Sequence, residues 1–331
     1  MAGSNLSHRE RMETCLAGQK TDHLPVSLWR HFPVDDQNPY TLAAETLAFQ
    51  KTFDLDFVKV TPASSFCLKD WGVEDRWVGN PEGTRDYTRR IIVHPEDWLK
   101  LPVLDPTRGA LGEQLTCLRL LRESIGPDTP IIQTIFNPLA QAKNLAGQQR
   151  LLVHMRRFPQ ALQAGLERIA ESTLRFITEA MKTGIDGIFF AVQHAQYGLL
   201  SPQEYKTFAR VYDLQLLEAS QTGWLNVLHL HGDDVMFDYL ADYPVQVINW
   251  HDRQSTPTLS EGLSKFAGAV CGGISQWETM VLGGNEQVRL QALDALQATG
   301  GHRFILGTGC VVPVIAPSGN IRAAVEFARQ N

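Results

Sequence analysis

The 331-residue sequence has no long apolar run; the longest, such as Gly187–Val192, are far shorter than the roughly 20 residues of a membrane-spanning helix. The polar stretch Met1–Arg11 lacks the apolar segment of a secretory signal. Basic residues are in the minority, since 30 Lys and Arg against 36 Asp and Glu give a net charge of −6. The pI of 5.9 is unlike that of a nucleic-acid-binding domain. We therefore expect a cytoplasmic protein that binds neither membranes nor nucleic acids.

Cysteine is also scarce, and its five residues are widely scattered along the chain: Cys15, Cys67, Cys117, Cys271 and Cys310. An odd, scattered set excludes a disulfide framework and predicts reduced thiols. A chain of this length buries a large core without disulfide or metal support. The content of 44% hydrophobic and 20% charged residues is that of an ordinary globular protein.

Eight short apolar runs, each bounded by Gly, Pro, Asp or Asn, are predicted strands. They are Leu24–Arg30, Phe57–Pro62, Ile131–Phe136, Gly187–Gln193, Trp224–His231, Gln246–His251, Ala269–Ile274 and Arg303–Gly309. Most are apolar throughout, which is typical of parallel strands covered on both faces. Helical periodicity separates them, at Thr41–Thr52, Gly112–Arg122, Gln160–Lys182, Ser201 onward, Asp234–Leu240, Leu259–Phe266, Asn285–Gln297 and Asn320–Arg329.

Eight alternating units predict an α/β fold, a (β/α)8 TIM barrel formed by one domain over residues 1–331. One irregularity lies between the second and third strands. There, Val73–Trp98 has the pattern of a hairpin, with a turn at Asn80–Gly83. We therefore expect a hairpin insertion at this point of the barrel.

Reactive side chains concentrate where the predicted strands end, which is where barrels of this type place their active sites. Five of the ten histidines and one cysteine lie there: His31, His194, His229, His231, His251 and Cys310. Arg30 ends the first strand, Asn137 follows the third, and Gln193 ends the fourth. Their shared position predicts one site at the barrel mouth.

The pair His229 and His231 is the most specific pattern, because strand residues two apart point to the same face. Thr308 and Cys310 share a face on the last strand in the same way. Two imidazoles and a thiolate favour zinc over magnesium or calcium, so we expect His229, His231 and Cys310 to be metal ligands. The alternative is an ordinary pair of buried, hydrogen-bonded histidines beside a small buried thiol.

The remaining residues at the strand ends are expected to serve the chemistry around that metal. Arg30, His194 and His251 are candidate catalytic residues, and Asn137, Gln193 and Arg30 are candidate substrate-binding residues. A guanidinium at the mouth of a barrel suits a carboxylate or phosphate. The alternative for His194 and His251 is a place in the core, and for Arg30 a structural ion pair.

Motifs in a fixed order carry a resemblance to a known family. They are Arg9–Met12, Leu24–Arg30, Pro102–Pro106, Asn137–Leu139, Phe189–His194, Leu228–Gly232, Phe304–Cys310 and Pro317–Arg322. On these motifs the sequence resembles the uroporphyrinogen decarboxylase family over nearly its whole length. That family includes the methyl-corrinoid:thiol methyltransferases and shares its barrel with cobalamin-independent methionine synthase. Its barrels often pair, so the resemblance also implies a homodimer.

Three positions depart from what the resemblance implies for a true uroporphyrinogen decarboxylase. The stretch Thr61–Ser65 lacks the aspartate that binds the pyrrole nitrogens. Arg30 matches the first of two substrate-binding arginines, but Val34 stands at the second position. Cys310 stands where the last strand of a decarboxylase carries a histidine. These departures argue against decarboxylation of a porphyrinogen.

The methyltransferase subgroup matches the site residues better. It binds zinc through a His-x-Cys pair on the fifth strand and a cysteine on the last. His229 and Cys310 match this set, and His231 replaces the middle cysteine. Histidine also binds zinc, and the exchange makes the site one charge more positive. The resemblance therefore implies a zinc-dependent methyltransferase that moves a methyl group between a corrinoid and a thiol or folate-like acceptor.

The sequence lacks the Asp-x-His-x-x-Gly motif of corrinoid-binding domains, so the corrinoid is expected on a separate protein. Two alternatives remain open at this stage. One is a decarboxylase acting on a tetrapyrrole carboxylate, by family analogy alone. The other is a non-catalytic protein that binds a tetrapyrrole or corrinoid.

Overall fold

Parallel strands form the inner layer of the protein, whose computed structural model describes residues 5–331. In chain order the strands are β1 (Val58–Val60), β2 (Glu74–Arg76), β3 (Asp86–Arg89), β4 (Ile131–Phe136), β5 (Gly187–Val192), β6 (Val227–Leu230), β7 (Val247–Trp250), β8 (Ala269–Ile274) and β9 (Phe304–Thr308). Seven of them pair in parallel in the order β1-β4-β5-β6-β7-β8-β9. Every residue of these seven strands is buried, which confirms a parallel sheet covered on both faces.

The predicted first strand, Leu24–Arg30, is not a regular strand but an extended segment with a single bridge from Val26 to Leu306. Pro25 has no N–H to donate, and the N–H of Val26 donates instead to the Asp56 carboxylate at 2.8 Å. The segment still lies between β9 and β1, because the Ser27 N–H donates to the Leu306 carbonyl and the Asp56 N–H to the Val26 carbonyl. This segment takes the place of the eighth barrel strand and closes the barrel.

Helices form the outer layer. They are α1 (His8–Leu16), α2 (Pro39–Phe53), α3 (Gly109–Ile125), α4 (Pro138–Ala146), α5 (Gln148–Arg157), α6 (Pro159–Met181), α7 (Pro202–Tyr205), α8 (Val211–Ala219), α9 (Phe237–Leu240), α10 (Leu259–Lys265), α11 (Asn285–Thr299) and α12 (Ser318–Gln330). The predicted periodic segments are confirmed in α2, α3, α6, α10, α11 and α12. Ser201 caps α7 as predicted, accepting from the Glu204 N–H. No helix within residues 5–331 has the length and apolar character needed to cross a membrane.

The predicted hairpin insertion is confirmed, with β2 and β3 pairing antiparallel between β1 and β4. Its tip packs onto the barrel mouth. The Val314 N–H donates to the Pro81 carbonyl at 2.7 Å. Gly83 (φ +82°) approaches His31 so closely that an added Cβ would lie 2.4 Å from the His31 Cβ. The hairpin is therefore part of the wall of the mouth.

Candidate metal centre

Four potential metal ligands meet at the carboxyl ends of three barrel strands. His229 lies on β6 and His231 directly follows it, His251 directly follows β7, and Cys310 lies two residues beyond β9. One donor atom from each side chain lies within 4.8 Å of the others. The sequence-predicted set His229, His231 and Cys310 is thus brought together, and the structure adds His251 as a fourth candidate ligand.

The spacing of these donor atoms fits zinc. The Cys310 Sγ lies 3.7 Å from the His229 Nε2 and 3.7 Å from the His231 Nδ1. Tetrahedral zinc, with bonds of about 2.0–2.3 Å to nitrogen and sulfur, sets such atoms roughly 3.5 Å apart. The donor set of imidazoles and one thiol is also the chemistry that zinc prefers.

Asn249 fixes the orientation of the His229 ring. Its amide NH2 donates to the carbonyls of Cys271 and Thr308 at 2.9 and 3.0 Å, so its Oδ1 is the free acceptor. The His229 Nδ1 lies 2.6 Å from that oxygen and is therefore the protonated nitrogen. The lone pair of Nε2 then faces Cys310. Such an outer hydrogen bond is the usual support of a metal-ligating histidine.

His251 has the features of a ligand rather than of a core residue. Its Nε2 is buried and has no hydrogen-bond partner among residues 5–331. An unpaired buried nitrogen is unfavourable unless another group, such as a metal ion, satisfies it. Its ring lies 5.0 Å from that of His231 and 6.0 Å from that of His229, between centroids. The catalytic role expected from the sequence remains an expectation.

Burial sets the protonation states at the cluster. Desolvation lowers the pKa of His231 to about 4, that of His229 well below its usual range, and that of His251 to a smaller extent. All three imidazoles are consequently neutral near pH 7 and can ligate a cation. Burial raises the pKa of the Cys310 thiol to about 11. A bound cation would reverse that penalty and release the proton.

A glycine permits the close approach of β9 to β7 at this point. A Cβ on Gly309 would lie 2.8 Å from the His251 Cα and 2.9 Å from the Trp250 carbonyl oxygen. Any larger residue would push the end of β9 away from β7. Gly309 thereby sets the distance between Cys310 and His251.

The cluster opens into a cavity of about 600 Å³, a volume that includes its opening to solvent. His229, His231 and Cys310 form one side of it. Aromatic rings cover part of the wall, and the Phe189 ring stacks on His229 with centroids 5.2 Å apart. The cavity also receives Gln193, whose buried Oε1 has no hydrogen-bond partner among residues 5–331. Gln193 thus lies where a substrate-binding residue is expected.

Arg30 does not line this cavity. The neighbouring residues Trp29 and His31 face the cavity, so in this extended segment Arg30 points to the opposite face. There it lies against α2, with its guanidinium 5.7 Å from the Phe32 ring centroid. The structure does not bring this predicted anion-binding residue to the cluster.

Asn137 likewise makes its hydrogen bonds away from the cavity. Its Oδ1 accepts from the Ala140 N–H at the start of α4, and its Nδ2 donates to Asp213 at 3.0 Å. The same Asp213 carboxylate accepts from the hydroxyls of Tyr205 and Tyr243. Asn137 is fully buried and lies in a structural network away from the cavity wall.

His194 lies behind the wall rather than on it. Its Nε2 is 3.0 Å from the Gln148 Oε1, and its buried Nδ1 is unpartnered among residues 5–331. Burial lowers its pKa to about 3. The structure therefore places it apart from the four-ligand cluster, in the position of a core histidine.

Two charged residues of the cavity were not among the site residues predicted from the sequence. Lys59 lies in the middle of β1, and Glu82 lies at the hairpin tip. A signal for Lys59 exists, since a lone lysine interrupts the apolar run Phe57–Val60. Glu82 had no such signal, because the packing of the hairpin onto the mouth is a tertiary feature.

Comparison with known proteins identifies the family of the chain. Residues 7–331 match the family model described as uroporphyrinogen decarboxylase (URO-D). The methylcobamide:CoM methyltransferase MtaA of Methanosarcina barkeri (strain Fusaro) is 22% identical over 340 residues, covering 97% of each chain. A uroporphyrinogen decarboxylase of Crocosphaera subtropica is 22% identical over 227 residues, covering 65% of this chain and 62% of its own. The solved structure of a methyltransferase from Methanosarcina mazei has a TM-score of 0.85 at 19% identity, covering 98% and 99% of the two chains. The chain belongs to the uroporphyrinogen decarboxylase family.

Proposed function

We propose that this protein is a zinc-dependent methyltransferase that moves a methyl group between a corrinoid, carried by a separate protein, and a thiol. The observation that carries the proposal is the set of three imidazoles and one thiol at the ends of β6, β7 and β9, opening into a cavity. Relatives named as methylcobamide:CoM methyltransferases, which cover up to 97% of the chain, support the same reaction.

The chain's own residues hold and shape the metal site. The candidate ligands are His229, held in one tautomer by Asn249, and His231, His251 and Cys310. A catalytic zinc keeps one of its four positions for substrate, so three of these side chains would hold the ion while the thiol binds. When bound, zinc supplies a Lewis acid that lowers the pKa of an adjacent thiol, so that a sulfur nucleophile exists at neutral pH. A methyl-corrinoid would supply the methyl group: a carbon–sulfur bond would form, the electron pair of the broken carbon–cobalt bond would remain on the corrinoid, and the thiol proton would pass to solvent.

The cavity wall serves the reaction by excluding water. The rings of Trp29, Phe136 and Phe189 line the space beside the cluster. An apolar wall of this kind strengthens electrostatic interactions within the site. It also leaves room above the ligands for a small acceptor.

Elemental analysis of the purified protein tests the metal site. We expect about one zinc per chain in the wild type and its loss in a His229→Ala/Cys310→Ala double variant. A His302→Ala/Cys117→Ala double variant is the matched control and should retain zinc, because neither residue belongs to the cluster. Protein that is metal-free under reducing conditions and does not take up added zinc would overturn the proposal.

Methyl transfer is the second test. Under anaerobic conditions the zinc-loaded protein is incubated with methylcobalamin and a small thiol, and the S-methyl product is measured by mass spectrometry. We expect turnover that disappears with the double variant. Uroporphyrinogen serves as the negative substrate, since no aspartate among residues 5–331 lines the cavity. Turnover of uroporphyrinogen without methyl transfer would show a decarboxylase instead.

A further inference from the structure

Two opposite charges line the cavity without neutralising each other. Apart from histidines and Cys310, the charged side chains of its wall are Lys59 and Glu82. Within residues 5–331 neither takes part in an ion pair, so their charged atoms are more than 4.0 Å apart. A protein that lines a cavity with an unpaired cation and an unpaired anion leaves both available to a ligand.

Lys59 is a buried amine that takes part in no ion pair within residues 5–331. Its Nζ donates to the Thr61 hydroxyl at 3.2 Å and lies 4.5 Å from the Phe189 ring centroid and 5.8 Å from that of Trp29. Burial lowers its pKa to about 7. One hydroxyl and two ring faces satisfy an ammonium group poorly, so an anion entering the cavity would relieve an existing penalty.

The position of Lys59 relative to the metal cluster limits the size of that ligand. The Phe189 ring lies 4.5 Å from the Lys59 Nζ and 5.2 Å from the His229 ring centroid. The Nζ is therefore at most about 10 Å from the His229 ring centre. A ligand whose sulfur lies at the cluster and whose anionic group lies at Lys59 is consequently short.

Glu82 supplies the opposite charge from the hairpin tip. One carboxylate oxygen accepts from the Trp277 Nε1 at 2.9 Å, and the side chain makes no other hydrogen bond with residues 5–331. The packing of Gly83 on His31 and the bond from Val314 to Pro81 fix this part of the hairpin. The other oxygen of Glu82 is thus a free acceptor in the wall of the same cavity.

We propose that the acceptor is a short α-amino-acid thiol, whose carboxylate binds Lys59 and whose ammonium group binds Glu82. This inference rests on the proposed function. A thiol with only a carboxylate would leave Glu82 facing an anion, and a thiol with only an amine would leave Lys59 unpaired. A zwitterion satisfies both charges at once and gives up neither interaction.

The test compares four thiols of matched chain length with the zinc-loaded protein and methylcobalamin: homocysteine, 4-mercaptobutyrate, 3-mercaptopropylamine and 3-mercaptopropan-1-ol. We expect kcat/KM for homocysteine to exceed that of each other thiol at least tenfold. In Lys59→Met the advantage of homocysteine over 3-mercaptopropylamine should disappear. In Glu82→Gln its advantage over 4-mercaptobutyrate should disappear. Equal use of all four thiols by the wild type would overturn the inference.

Binding without turnover provides an independent measurement. Calorimetric titration of methionine, the S-methylated zwitterion, needs neither corrinoid nor catalysis. We expect its Kd to weaken at least tenfold in both variants, while circular dichroism confirms their folding. Lys51→Met and Glu278→Gln are controls at exposed positions outside the cavity and should leave thiol selectivity unchanged.

The outcomes separate the two proposals. Methyl transfer with no preference among the thiols supports the methyltransferase and overturns the zwitterionic acceptor. Methionine binding that depends on Lys59 and Glu82, without transfer to any thiol, supports the amino-acid site and overturns the methyltransferase. A methionine Kd unchanged in both variants contradicts the inference whatever the activity.

Discussion

The Nδ1–H of His229 donates a 2.6 Å hydrogen bond to the Oδ1 of Asn249, its direct partner on the neighbouring strand β7. Asn249 is itself held by two backbone carbonyls, so the imidazole cannot turn without breaking a three-bond network. This contact leaves Nε2 as the unprotonated nitrogen of the His229 ring.

Asn249→Ala is expected to weaken zinc binding 10- to 100-fold, because His229 loses the acceptor that fixes its tautomer. Competition with a fluorescent chelator measures the affinity. Asn226→Ala removes an equally buried asparagine directly before β6 that contacts none of the candidate ligands, and it should change zinc affinity little. An unaltered affinity in Asn249→Ala would show that the tautomer is fixed by other means.

Gly309→Ala is expected to destabilise the protein by about 1–3 kcal/mol, because its Cβ would lie under 3 Å from the backbone of Trp250 and His251. The displacement should also weaken zinc retention at least tenfold, since Cys310 moves with it. Urea unfolding and chelator competition measure the two effects. Gly198→Ala meets no atom within 4 Å and is the matched control. Equal behaviour of the two variants would contradict the close-packing argument.

Lys59→Met is expected to stabilise the metal-free protein at pH 7 by a few kcal/mol. The unfolded chain holds the lysine proton up to pH 10.5, whereas the folded chain releases it near pH 7. Wild-type stability therefore rises with pH between about 7 and 10.5, and the gain in the variant shrinks over the same range.

Urea unfolding at pH 7 and pH 10 measures this difference. The exposed Lys51→Met is the control and should change stability by less than about 0.5 kcal/mol at both pH values. A Lys59→Met variant that is less stable than the wild type at pH 7 would mean that Lys59 has a counter-charge.

Asn137→Ala is expected to lower the free energy of unfolding by about 1–3 kcal/mol, because it removes the cap of α4 and one donor to the buried Asp213. The thiol selectivity of the remaining folded protein should not change, since Asn137 is not in the cavity wall. Unfolding curves and kcat/KM ratios measure the two. A changed selectivity at normal stability would restore the substrate-binding role predicted from the sequence.

Much of the barrel could be predicted from local patterns. β4 and β8 have their predicted bounds, since continuous apolar runs flanked by Pro, Asn, Gly or Ser leave little ambiguity. The meeting of His229, His231 and Cys310 also follows from strand alternation and from the shared edge of parallel strands. Position and period were sufficient for these residues.

Other site assignments depend on tertiary contacts that no local pattern encodes. Arg30 lies between Trp29 and His31, which both line the cavity. Which of these side chains face inward depends on how the irregular segment Leu24–Arg30 packs between β9 and β1. Lys59 is identified by the lack of a counter-ion, and Glu82 by where a hairpin folds. These are properties of the assembled barrel.

Sequence changes in the hairpin and sequence changes in the barrel strands affect different parts of the cavity. The four candidate metal ligands belong to the ends of barrel strands whose positions the whole barrel fixes, whereas Glu82 belongs to an insertion between two strands. Replacing the tip of the hairpin alters one side of the cavity and leaves the ligands in place. We therefore expect sequence changes in 77–84 to alter which small molecule the cavity accepts while the four candidate ligands keep their places.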